Sequence, residues 1–226
     1  MFKQILHVQW RASAPVVALL SLACFAVPLL SIQGSGGIAD PGARVGALLE
    51  LTQLWIPAYP GLAVAVGGIV GILAWTWDHR GNHVYALSLP ISRSRYSLLK
   101  MAAGGLVLLV PVLALGLGAF TAVQAADIPD ALRAYPVALT VRFLFAAGVI
   151  YAMLFALASA TMRTVVWLGI VGILVLLAAG PLLNQFAGSG GPGSAGVRPG
   201  VQLFDVLTDW PSPFSVLNAN WALIDV

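Results

Sequence analysis

The chain holds long runs of residues that carry no charge. Residues 101–124 form one such run, rich in Leu, Val, Ala and Gly. An α-helix needs about 20 apolar residues to cross about 30 Å of hydrocarbon. Comparable runs recur at 14–32, 60–77 and 164–186, and at 136–160 with Arg142 as its one charge, so five spans are expected. A piece at 45–58 reads as a partly embedded helix ahead of the second span. The expected fold class is all-α, a polytopic helical membrane bundle. A soluble fold is excluded by polarity. Only 8% of the residues are charged and 60% are hydrophobic, against about 25% charged in soluble domains. Such a chain has too little polar surface to cover a water-facing globule.

Residues 1–12 have a different pattern. Phe2, Ile5, Leu6 and Trp10 fall at helical spacing, with Lys3, Gln4, His7 and Arg11 as the polar complement. This suits an amphipathic helix lying in the headgroup region. The expected organisation is an interfacial helix at 1–12, a five-helix membrane domain at 13–186 and a flexible extracytoplasmic tail at 187–226. The tail opens on a Gly/Pro/Ser-rich tract at 188–200 and ends in an interfacial segment containing Trp210 and Trp221.

Charge distribution sets the expected orientation. If the N-terminus is cytoplasmic, the inner segments hold Lys3, Arg11, Arg80, Arg93, Arg95, Lys100 and Arg163, seven of the eleven basic residues. The outer segments hold Arg44, Arg133, Arg142 and Arg198 together with most of the acids. An excess of Lys and Arg in short inner loops is the rule for membrane helices, so the N-terminus is expected inside.

The loop between the second and third spans, residues 78–100, is the most distinctive segment. It packs Arg80, Arg93, Arg95 and Lys100 around the apolar core Val84-Tyr-Ala-Leu-Ser-Leu-Pro-Ile91. A proline disfavours helical geometry in the residue before it, so an amphipathic helix from Asp78 is expected to stop near Leu89. A polar turn at 92–95 follows, and Tyr96 and Lys100 open the next span, with Lys100 able to snorkel. An apolar core inside a basic loop suits docking of a cytoplasmic partner. The bland alternative is a positive-inside loop that docks nothing.

In this segment the chain resembles the type-2 ABC transporter permeases. Asp78, Gly81, Leu87, Leu89, Pro90, Ile91, Ser92, Arg93, Tyr96 and Lys100 carry the resemblance. It extends in outline over residues 1–186, through the order of interfacial helix, first span, outer loop, second span and inner loop. The resemblance implies that loop 78–100 is a coupling helix seated on a separate ATP-binding subunit, with a second permease copy completing the transporter. Asp78, Arg80, Gly81, Arg93 and Arg95 would then supply polar and turn positions, and Tyr85, Leu87, Leu89 and Pro90 the apolar ones. It also implies six spans, one more than the five read here, with residues 204–226 in the place of an outer segment before the last. From a different class, an accessory subunit of a larger, energy-transducing membrane complex fits the same apolar spans.

Other residues carry less. Arg142 in the fourth span and Glu50 before the second are candidate substrate or lipid contacts, because charge at such depth is costly unless it pairs, snorkels or lines a water path. For Arg142 the bland reading is snorkelling beside Asp127 or Asp130. His79 and His83 stand four apart in a polar loop, without a third ligand near enough in sequence for a metal site. The single cysteine, Cys24, lies in an apolar run and reads as packing. A G-x-x-x-G at Gly67 and Gly71 reads as close helix packing, within this bundle or between copies. With no nucleotide-binding, zinc-protease or nucleophile-elbow motif, the chain is expected to be no enzyme, with no catalytic residues, no metal and no cofactor.

Overall fold

The computed structural model describes residues 2–34, 38, 40–80, 92–130, 132–159, 214–217 and 220–225. Five α-helices account for most of them: α1 (Phe2–Ser31), α2 (Pro41–Trp55), α3 (Ala58–Arg80), α4 (Arg93–Ala126) and α5 (Pro136–Ser159). A two-residue strand β1 (Arg133–Ala134) pairs antiparallel with β2 (Ile224–Asp225). By contact, the chain divides into two compact units. The first is Met1–Phe155 with Asn220–Val226, and the second is Ala156–Ala219. All that follows concerns the first unit.

Among the described residues, four helical stretches are long and apolar enough to cross a membrane: Phe2–Ser31, Pro41–Thr76, Ser94–Ala126 and Pro136–Ser159. The fifth expected span, 164–186, and the Gly-rich tract at 188–200 lie outside the described residues. The expected boundary at residue 12 leaves no mark on the backbone, because α1 runs unbroken from the amphipathic head into the apolar run. The piece read at 45–58 is the separate helix α2. Asp40 caps it, its carboxylate accepting from the Ala43 N–H at 2.9 Å, with Pro41 at the first turn. Both choices suit a helix start, where N–H groups lack partners and proline has none to lose.

α1 runs parallel to α4 and α3 parallel to α5, and glycines set how closely each pair meets. A Cβ at Gly118 of α4 would overlap the Phe25 carbonyl of α1, so these two parallel helices touch backbone to backbone. A Cβ at Gly67 would overlap the Ala147 carbonyl of α5, and one at Gly71 would lie 3.1 Å from the Tyr151 oxygen. The G-x-x-x-G of α3 is therefore used inside this chain, against α5. Close approach of this kind supplies van der Waals contact where lipid offers no hydrophobic drive for helix association.

The core runs through Val17, Leu20 and Cys24 of α1, Val66 and Val70 of α3, Val107 and Leu115 of α4, and Phe143 and Ala147 of α5. Large apolar residues also point outward: Leu19, Leu22, Ile72, Leu113, Leu117 and Phe145 are all more than half exposed. An apolar surface this continuous is a liability in water and is the ordinary exterior of a bundle in lipid.

Candidate functional site: a buried clasp at the base of the 81–91 segment

α3 continues through Asp78 to Arg80, and α4 begins at Arg93. The expected loop helix from Asp78 is thus, in its first three residues, the end of the preceding span. Ser92 occupies the cap position of α4 in extended conformation and makes no side-chain cap bond. Gly81, Tyr85, Leu87, Leu89 and Pro90 lie outside the described residues. Of the remaining loop candidates, Arg80 closes α3, Arg93 opens α4, and Arg95 is exposed in the first turn of α4.

Asp78, expected as a polar contact for a partner, is buried, with a side chain only 7% exposed. Its carboxylate accepts from Lys100 Nζ at 2.5 Å and from the Tyr96 hydroxyl at 3.1 Å. Lys100 does not snorkel. Its side chain is 6% exposed, and the ammonium sits 4.5 Å from the Trp75 ring centroid and 5.3 Å from that of Tyr96. The physical reason is desolvation. A carboxylate and an ammonium brought together between two antiparallel helices each need a partner of opposite charge, and each is the other's nearest. Aromatic faces add attraction for the cation.

The clasp extends to α5. Trp75 lies 5.3 Å from Phe155, and Phe155 lies 5.7 Å from Tyr151, centroid to centroid. The Tyr151 hydroxyl then donates to the Met101 carbonyl of α4 at 2.8 Å. Gly104, one turn further, leaves room for both that hydroxyl and the Gln9 amide, since a Cβ there would overlap the first and lie 2.7 Å from the second. A cavity of about 310 Å³ adjoins the cluster, lined by Ile5, Val8 and Gln9 of α1 along with Leu73, Asp78 and Lys100. α3 and α4 are therefore tied, at one end of the bundle, to α5 and packed against α1.

The opposite end carries the remaining candidates. Arg44 of α2 reaches the C-terminus of α4, donating to the Ala126 carbonyl at 2.9 Å and pairing with Asp127 at 3.4 Å. It satisfies a helix-end carbonyl that has no partner within its own helix. Asp127 is thus paired with Arg44. The Arg142 guanidinium stacks over the Trp221 ring at 5.3 Å. Trp221, expected at a membrane interface, is 2% exposed. The β1–β2 pair holds it in place, with Arg133 opposite Asp225 and Ala134 opposite Ile224. Glu50 is exposed on α2, away from these contacts. Among the described residues no group of three metal-ligating side chains forms.

The sequence contained a trace of the clasp: an acid at the end of one span and a lysine at the start of the next. Charge counting treats both as loop residues, and so misses their pairing. Comparison with protein-family models, curated proteins and solved structures finds no match. The functional reading accordingly rests on the clasp and on the loop that it closes.

Proposed function

We propose that this chain is the membrane-spanning permease subunit of a type-2 ABC exporter, set in a bacterial inner membrane with its N-terminus cytoplasmic. It works with a separate ATP-binding subunit and a second permease copy, and does no chemistry of its own. One observation carries the reading: the basic, apolar-cored loop 78–100 has at its base a buried ion pair joining residues 22 apart. A loop that only reverses the chain needs no such anchorage. A loop that receives force does. With its base clasped, a push on the segment moves α3 and α4 together, and the aromatic contacts from Trp75 to Tyr151 pass it to α5. In this mechanism ATP binding closes two ATPase subunits. The loop residues Arg80, Arg93, Arg95, Tyr85, Leu87 and Leu89 follow the closing surface, and the helices tilt.

The test is purification in mild detergent with mass spectrometry of what accompanies the chain. An ATP-binding subunit is the expected companion. Recovery of only pigment-, haem- or quinone-bearing subunits would overturn the exporter reading in favour of an accessory role. As a second arm, Leu89→Asp with Arg93→Glu should lower ATP hydrolysis by the reconstituted complex while the chain is still inserted at normal levels.

A further inference from the structure

The face of α1 near its start, away from the clasp, forms one side of a second opening. Lys3, Leu6, His7 and Trp10 of α1, with Leu106 and Val107 of α4, line a cleft of about 430 Å³. Residues 3, 6, 7 and 10 share one helical face. The polar groups Lys3 and His7 stand at the outer rim, both exposed, and Trp10 stands below them, 43% exposed. From Lys3 to Trp10 the helix rises about 10 Å, at about 1.5 Å per residue. That is the depth from a headgroup layer to the top of the acyl chains, where indole rings concentrate. Leu6, Leu106 and Val107 make the remaining wall apolar.

The charge in this cleft is uncompensated. α1 contains no Asp or Glu. Among the described residues Lys3 forms no ion pair. His7 offers a hydrogen-bond donor in either protonation state. A cation and a donor one turn apart match a phosphodiester, and the wall beneath them matches an acyl chain. A neutral or zwitterionic lipid would leave the Lys3 charge without a net counter-charge.

We propose that this cleft holds one anionic phospholipid of the leaflet at the N-terminal end of α1. The phosphate lies between Lys3 and His7, the glycerol region against Trp10, and one acyl chain along Leu6, Leu106 and Val107. This site is separate from the clasp and stands whether or not the chain serves an exporter.

The test is native mass spectrometry of the purified full chain, delipidated and then offered phosphatidylglycerol and phosphatidylcholine in equal amounts. Phosphatidylglycerol should be retained preferentially. Lys3→Gln should lower its retention about fivefold, the effect of removing one basic residue near a lipid surface. Leu106→Trp, which fills the cleft without changing charge, should lower it as well. Arg11→Gln, a basic residue of the same helix outside the cleft, should leave it unchanged. Equal retention of the two lipids would overturn the proposal, as would indifference to both Lys3→Gln and Leu106→Trp. Displacement of the lipid by inorganic phosphate alone would mark a simple anion site and would also overturn it.

Discussion

Lys100, in the second turn of α4, donates to Asp78, in the last turn of α3, across 2.5 Å and out of contact with solvent. The pair fixes the spacing of two antiparallel helices near where α3 ends and α4 begins. Removing one member leaves the other buried without a counter-charge, at a cost of about 3–5 kcal/mol. Lys100→Met and Asp78→Leu should each lower the thermal unfolding midpoint in detergent, by about 2–4 °C per kcal/mol for a unit of this size. The double variant should recover much of the loss, because two apolar side chains in place of a buried pair are often tolerated. Additive losses in the double-variant cycle would show that the two groups do not act together.

Glycine positions on α3 and α5 predict opposite outcomes for the same substitution. Gly67→Ala forces a methyl into the Ala147 carbonyl and should destabilise by about 1–3 kcal/mol. Gly148→Ala meets nothing within 4 Å and should be neutral or stabilise by up to about 1 kcal/mol, through helix propensity. Unfolding midpoints of the two variants, measured side by side, check the α3–α5 seam directly.

How far the sequence disclosed this architecture depends on the range of the interaction. The apolar runs announced the helices, and Gly67 and Gly71 announced a close approach, because both signals are local. Asp78 and Lys100 were visible as residues but not as a pair, since their meeting depends on how two helices align over a 22-residue separation. Arg44 and Asp127 are 83 residues apart, and no periodicity links them. Trp221 carried the mark of an interfacial residue, and its burial goes with partners far from it in sequence, the β1 strand and Arg142. Long-range polar contacts of this kind leave little imprint on hydropathy.

Arg44 and Asp127 should respond unequally. Asp127 is 88% exposed, so its ion pair is worth about 0–1 kcal/mol. It also sits at φ 43°, in the left-handed region. Asp127→Gly should therefore be close to neutral, and Asp127→Val should cost about 1–2 kcal/mol from backbone strain. Arg44→Ala additionally removes the bond to the Ala126 carbonyl and should exceed the loss from Asp127→Gly. The ordering of the three midpoints is the check.

Trp221→Ala should free the terminal strand. The change removes a buried indole at about 3–5 kcal/mol and with it the surface on which Arg142 stacks. Limited proteolysis followed by intact-mass analysis should show early loss of the last residues in the variant, at a protease concentration that leaves the original chain intact.

The pairing of β2 with β1 also determines how the chain is routed. The first unit runs to Phe155 and resumes at Asn220, and the resumed stretch lends its strand to residues that precede α5. β2 thus meets the chain just before α5: the Tyr135 N–H donates to the Leu223 carbonyl at 3.0 Å, so a one-residue slip of β2 would turn the buried Ile224 outward and loosen the entry of α5.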